Sequence, residues 1–247
     1  EPSTGRAMQQ TDTPQSANGR TDSSPASQPD TRPVVILGLG GGGTAIAARI
    51  AELGVRPPVI LAAADTDRDS LDARPGLDTL PLSGEWTEQR GTGGDVLLGE
   101  RAASASGAEL AELIQPARLL LLVAALGGGT GAGAAKVAGR VAQQHGVLTM
   151  LVGTLPFSFE GNARQRQAEA ALTPLRQRVD AVVAVPNDML FNTLAADTPV
   201  PEAFAITDGI LASVVLDLAR LPGSQAILPA DFARLRALLR HRNAICS

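Results

Sequence analysis

The stretch Ala125–Ala135 reads Ala-Leu-Gly-Gly-Gly-Thr-Gly-Ala-Gly-Ala-Ala and puts five glycines in seven residues around Thr130. An apolar run, Leu119 to Ala124, precedes it and suits a buried strand. Val137 to Val141 follows with helical spacing. Glycine tolerates positive φ and lets another group come close to the main chain. A strand, a glycine turn and a helix start together leave N–H groups free to face an anion. The stretch therefore reads as a phosphate cradle, and the rest of the chain has to supply a sheet that holds it.

Composition narrows what that sheet can belong to. Apolar residues make up 44% of the 247, so a sizeable core is within reach. That core must be aliphatic, because aromatics are 2% and Tyr is absent. A net charge of −4 argues against a nucleic-acid surface. One cysteine, Cys246, rules out an internal disulfide framework, and His145 and His241 are too few for a His-rich metal site. No metal site built from protein side chains is expected. No apolar run reaches the roughly 18 residues of a membrane span. The N-terminus has no apolar stretch of the signal-peptide kind, so the expected location is the cytoplasm.

Residues 1–33 are rich in Ser, Thr, Gln, Asp, Gly and Pro, cannot offset their ordering entropy, and are expected to be a disordered tail. From Val34 onward, short apolar runs alternate with helical patterns. Strands are expected at Val34–Leu37, Val59–Ala63, Leu77–Leu82, Leu119–Ala124, Val147–Val152 and Ala181–Val185. Helices are expected at Ala45–Leu53, Asp95–Leu113, Asn162–Val179, Met189–Ala196 and Pro201–Ala219, with Pro174 as a possible kink. The alternation predicts an α/β chain, a three-layer Rossmann-like parallel sheet with helices on both faces. Ligands of such sheets bind beyond the carboxyl ends of the strands. Gly40–Gly43, Asp65–Asp67, Gly127–Gly133, Phe157–Gly161 and Asn187 all fall at those ends.

Gly38-Leu39-Gly40-Gly41-Gly42-Gly43 satisfies G-x-G-x-x-G after a strand, with Asp65 and Asp67 after the next strand. That admits a dinucleotide site, and an NAD-dependent oxidoreductase is the remote alternative. A second glycine run favours a phosphate chain gripped from two sides. The lone lysine, Lys136, follows Ala135, so the Gly-Lys-Ser/Thr of an ordinary P-loop is missing.

Gly127-Gly128-Gly129-Thr130-Gly131-Ala132-Gly133 resembles the signature of the tubulin/FtsZ superfamily, and FtsZ in particular. The resemblance runs in order from Val34 to about Leu239. Gly38–Gly43 resembles the family's first glycine loop, and Asp65-Thr66-Asp67 its Asn-Thr-Asp turn. Pro156-Phe157-Ser158-Phe159-Glu160-Gly161 resembles Pro-Phe-Thr-Phe-Glu-Gly. Pro186-Asn187-Asp188 matches the family outright, and Glu202-Ala203-Phe204 with Asp208 resembles the start of its central helix. The resemblance implies a GTP-binding domain over residues 34–221, with the central helix at about 201–220, and a GTP or GDP site. Gly40, Gly41, Gly42 and Gly43 with Gly127, Gly128, Gly129, Gly131, Ala132 and Gly133 would cradle phosphates. Thr130 would add a hydroxyl and Glu160 would bind ribose. Arg164 would face the phosphates, and Asp65 and Asp67 would sit beside them. Phe204 and Asp208, at i and i+4, share a helix face. The ring can stack on a base while the carboxylate accepts from guanine N1–H and its amino group, with Asn187 completing the pocket.

The sequence also departs from the family. Asp65 stands for Asn, which should weaken phosphate binding unless Mg²⁺, held through the nucleotide phosphates, compensates. The third loop, Gly91–Gly94, is short. The family's activating loop, Asn-Leu-Asp-Phe-Ala-Asp, enters a neighbour's site in a head-to-tail contact. Here it reads Pro229-Ala230-Asp231-Phe232-Ala233-Arg234, so Asp231 alone keeps a catalytic role and Arg234 reverses a charge. Residues 222–247 are expected to hold this divergent loop and a terminal helix, with the family's second domain absent. The expected function is guanine-nucleotide binding related to the cytoskeleton or cell division. Hydrolysis is expected to be weak or dependent on a partner, such as an authentic FtsZ. Active head-to-tail polymerisation is the alternative.

Overall fold

The computed structural model describes residues 31–74, 76–83, 90–191, 195, 197–220, 237–239 and 242–245. The first strand, β1 (Val34–Leu39), is buried along its whole length. It passes without a connecting residue into helix α1 (Gly40–Leu53). β2 (Val59–Asp65), α2 (Arg68–Asp72) and β3 (Asp78–Pro81) follow. Two helices, α3 (Val96–Ala105) and α4 (Gly107–Ile114), lead to β4 (Leu119–Ala125). α5 (Gly129–Gln144), β5 (Leu148–Leu155), a 3₁₀ turn (Ser158–Glu160) and α6 (Asn162–Arg176) come next. β6 (Ala181–Pro186), α7 (Asn187–Phe191), α8 (Val200–Arg220) and β7 (Arg242–Ile245) complete the order.

The strands form one sheet in the order β3-β2-β1-β4-β5-β6-β7. Every pairing is parallel, with Val34 opposite both Val59 and Leu119. Side chains alternate between the two faces of a strand. Val35, Leu37, Leu120 and Leu122 enter one core with residues of α3, α4, α5 and α6. Val34, Ile36, Leu119 and Leu121 enter a second core with residues of α1 and α8. Both faces are covered, and this is why the central strands β1 and β4 read as unbroken apolar runs rather than as alternating ones. The aliphatic, three-layer α/β sheet expected from the sequence is the fold observed.

Some boundaries differ from the sequence pattern, for physical reasons. The stretch expected as one helix, Asp95–Leu113, is two, broken at Ser106 (φ −92°, ψ 27°). The Ser106 hydroxyl accepts from the Ser83 backbone N–H at 3.4 Å, so the break meets the strand-to-helix connection. The helix expected to run to Val179 ends at Arg176, two residues after Pro174. In the stretch expected to end in a helix, residues 237–239 are helical, but Arg242–Ile245 form an edge strand paired with Ala181–Ala184. The tail up to residue 30 and the loop around Asp231 lie outside the described residues. Among the described residues no helix is long and apolar enough to cross a membrane.

Several glycines serve packing. A Cβ on Gly133 would lie 2.5 Å from the Val96 carbonyl oxygen and closer still to the Glu100 nitrogen, so α5 and α3 touch backbone to backbone there. Gly209, inside α8, has nothing within 4 Å of such a Cβ. Gly133→Val should therefore cost about 2–3 kcal/mol through overpacking. Gly209→Ala should gain about 0.5–1 kcal/mol through helix propensity. Urea denaturation of the two variants beside the parent chain measures both.

Candidate functional site

At the carboxyl ends of β1, β2, β4, β5 and β6 lies a cleft of about 600 Å³. That volume is within the range of small-molecule sites. Gly40, Gly41, Gly42, Asp65, Asp67, Gly127, Gly128, Gly129, Thr130, Gly131, Glu160, Arg164, Asn187, Phe204 and Asp208 all border it. Gly43, Ala132 and Gly133, which the sequence pattern also put in the cradle, do not line it. A Cβ on Gly43 would collide with the Val123 carbonyl oxygen, Gly133 packs on α3, and Ala132 is buried in the core. Asp231 lies outside the described residues.

The two glycine runs meet. Gly40 has φ +67°, a conformation L side chains rarely adopt, and a Cβ there would lie 2.6 Å from the Gly131 nitrogen. This contact brings the N-termini of α1 and α5 side by side. Helix starts leave backbone N–H groups without intrahelical partners. In α2 and α3 side chains fill that need: Asp67 accepts from the Ser70 N–H at 3.3 Å, and Asp95 from those of Leu97 and Leu98 at 2.8 and 3.1 Å. α1 and α5 have no side-chain cap. Their first-turn donors are left to the cleft, with the favourable potential of two helix dipoles behind them.

Hydroxyl groups line the same region. The Thr66 and Thr130 oxygens are 2.6 Å apart, and Thr92 Oγ1 lies 3.4 Å from Thr130 Oγ1. Thr92 sits in the third loop with Gly91, Gly93 and Gly94, all of which border the cleft. The sequence marks that loop by its glycines and as short, without pointing to Thr92. Its glycines were a visible signal, but the tie from Thr92 to Thr130 is tertiary. Gln167 was also missed as a support: its side-chain amide donates to the Gly127 carbonyl at 3.1 Å and anchors the second glycine run.

The aromatic and acidic groups are held firmly. Phe204 meets Phe157 edge to face at 5.0 Å, and Phe157, fully buried, stacks on Phe159 at 4.9 Å. Asn187 is buried and its Oδ1 has no hydrogen-bond partner. Glu160 and Arg164, assigned to ribose and phosphate, pair with each other at 2.8 Å, and Glu160 also accepts from the Phe157 N–H at 2.8 Å. Asp65 is 3% exposed. Its Oδ1 accepts from the N–H groups of Thr66 at 2.7 Å and Asp67 at 3.3 Å, while Oδ2 has no partner. Burial raises its pKa above the ordinary carboxylate value. Burial likewise pushes Asp208 up to about 6, against the opposing pull of Arg74 and Arg49. A cleft with uncapped helix starts, unpaired buried polar atoms and shielded carboxylates is built to be completed by a polar ligand.

The Tubulin/FtsZ family GTPase domain matches residues 33–195. The Helicobacter pylori cell division protein FtsZ is 32% identical over 206 residues, covering 83% of this chain and 54% of that protein. The solved "FtsZ dimer, empty" of M. jannaschii superposes with a TM-score of 0.80 at 30% identity, covering 85% of this chain and 61% of that one. CetZ2 from Haloferax volcanii, solved as a GTPγS-bound protofilament, gives 0.72 at 24% identity over 85% of this chain and 64% of its own, a likeness of fold. The chain belongs to the tubulin/FtsZ family and carries its GTPase-domain fold. It spans about half to two thirds of the length of these relatives.

The raised pKa of Asp208 has a definite sign. The folded chain holds this proton more tightly than the unfolded one, so stability is fullest below the ordinary pKa of 3.8 and falls as pH rises through about 6. Asp208→Asn should remove that loss. Without ligand at pH 7.5 it should unfold later in urea by on the order of 2–3 kcal/mol, with little difference from the parent chain at pH 4.

Proposed function

We propose that this chain binds GTP or GDP in the cleft. The observation that carries the reading is the pairing of two uncapped helix N-termini, joined at Gly40 and Gly131, in one cleft with Phe204, Asn187 and Asp208. Backbone N–H groups and the Thr130 hydroxyl suit phosphate oxygens, which are acceptors only. Phe204, braced by Phe157, offers a face on which a base can stack. Ionised Asp208 is an acceptor for the two donors on guanine's edge, and the buried Asn187 oxygen is a further acceptor. Adenine lacks that donor pair, and unpaired buried acceptors are a strong basis for rejecting it.

The ligand-free ion pair of Glu160 and Arg164 fits this reading. A nucleotide would divide the pair, with ribose hydroxyls taken by Glu160 and phosphate charge by Arg164. Mg²⁺ belongs to the proposal only as an ion carried by the phosphates.

On hydrolysis, the proposal is a slow or partner-dependent GTPase. It rests on the sequence of the activating loop, where Pro229 and Arg234 replace the family's Asn and second Asp and Asp231 remains. A second reading, head-to-tail polymerisation with self-activated turnover, draws on the relatives solved as a dimer and a protofilament. The two differ in how phosphate release depends on concentration. Slow turnover per chain, independent of concentration and raised by an authentic FtsZ, fits the first. Turnover per chain that climbs with concentration and is lost in Asp231→Ala fits the second.

For binding itself, calorimetric titration should give GDP and GTP affinities at least about a hundredfold above ATP. Phe204→Ala should weaken GDP binding about tenfold or more through lost stacking, about 1.4 kcal/mol. Equal affinity for guanine and adenine nucleotides would overturn the reading.

A further inference from the structure

Gly127, Gly128 and Gly129 lead from β4 into α5, and all three border the cleft. A run of glycines has no side chains to fix which way its peptide groups point. In a trans peptide the C=O and the N–H point in opposite directions. A peptide that turns over therefore puts a carbonyl oxygen where an N–H was, and a carbonyl oxygen repels a phosphate oxygen. The direction has to be set from outside the run. Gln167 of α6 does this, because its side-chain amide donates to the Gly127 carbonyl at 3.1 Å. On its other side the same peptide is tied by the Gly128 N–H, which donates to the Ala125 carbonyl at 3.5 Å. The Gln167 bond is the shorter and so the firmer of the two. Gln167 does not itself border the cleft, so the carbonyl is engaged by a group outside it.

Resting on the guanine-nucleotide reading, we propose that Gln167 is a positioning residue for phosphate binding. It holds the Gly127 carbonyl on α6, keeps the glycine link ordered in the empty cleft, and so sets the affinity for the phosphates rather than for the base. Without it, ordering the link falls to the ligand, and the lost chain entropy weakens binding.

α6 is a firm base for that contact. Ala168, Ala171, Leu172 and Leu175 bury one side of it in the core that β4 and α5 share. Gln167 and Arg164, at i and i+3, are neighbours on the helix surface. A Cβ on Gly127 would lie 3.5 Å from the Arg164 Cβ and 3.2 Å from Cβ and Cγ of Pro156, so Gly127 sits in a seat made by α6 and the residue after β5. One helix thus carries both the charge offered to phosphate, on Arg164, and the brace of the backbone beside it, on Gln167. The groups proposed for the base, Asn187, Phe204 and Asp208, stand on α7 and α8 instead. Phosphate affinity and base affinity are therefore separable by substitution.

The test is calorimetric titration of GDP, with guanosine measured by competition, on the parent chain, Gln167→Leu and Gln167→Glu. At pH 7.5 Gln167→Leu should bind GDP about five- to tenfold more weakly, the effect of one hydrogen bond, and guanosine within about twofold of the parent chain. Gln167→Glu keeps the shape and loses the donor, so at pH 7.5 its loss for GDP should be at least as large. Once protonated, its carboxyl regains an O–H to donate to the Gly127 carbonyl. Its GDP affinity relative to the parent chain should therefore recover about twofold or more as pH falls from 7.5 to 5, towards the ordinary glutamate pKa of about 4.3. Gln167→Leu should show no such recovery. Comparison with the parent chain at each pH removes the titration of Asp65, Glu160 and Asp208, which all three chains share. Equal losses for GDP and guanosine, or unchanged GDP binding in Gln167→Leu, overturn the inference and leave the nucleotide reading intact. A ratio of Gln167→Glu to parent affinity that stays constant with pH does the same, and it decides alone if Gln167→Leu folds poorly. No GDP binding at any pH by the natively folded parent chain overturns both.

Discussion

The architecture of the cleft depends on a backbone contact, Gly40 against Gly131, at a separation that no side chain could share. Two parallel strands, β1 and β4, run side by side; β1 passes straight into α1, and β4 reaches α5 through Leu126, Gly127 and Gly128. Without the contact, α1 and α5 would be two separate helix starts at the sheet edge. With it, their unpaired N–H groups face one volume. Glycine weakens a helix elsewhere. At this position the cost of side-chain-free backbone becomes donor density, because nothing stands between the main chain and a ligand.

The central strand positions were legible in the sequence because burial on both faces leaves β1 and β4 without polar residues. Val34–Leu39 and Leu119–Ala125 could hardly be anything else in a chain of this composition. The cradle was legible as a cluster, but its individual glycines were not. Gly41 borders the cleft and Gly43 packs under Val123, yet both are simply glycine in the sequence. The distinction comes from which way each points once the helix has formed. Ser106 shows the same limit, since a helical pattern runs through a residue at which the chain turns. Thr92 and Gln167 act on residues 38 and 40 positions away, and no local pattern encodes such a tie.

Two of the carboxylates that border the cleft, Asp65 and Asp208, illustrate how a site is kept against the interest of the fold. Each is buried enough that ionisation is disfavoured. In an empty cleft both are unfavourable at neutral pH. A ligand that donates a hydrogen bond to either carboxylate would relieve it. The energy that such groups withhold from folding is the energy a ligand recovers on entry.

The row of hydroxyls at Thr66, Thr130 and Thr92 carries one more consequence. Each hydroxyl has a single hydrogen to give. With oxygens 2.6 and 3.4 Å from Thr130, the row can point in either sense, so the empty cleft has no fixed polarity along it. An anion accepting from Thr130 would use that one hydrogen and oblige both neighbours to donate inward. Three turns from separate parts of the sheet would then share one orientation, and the arrival of charge would be registered at Thr66 and Thr92 as a reversal of dipoles, with no atom heavier than hydrogen having moved.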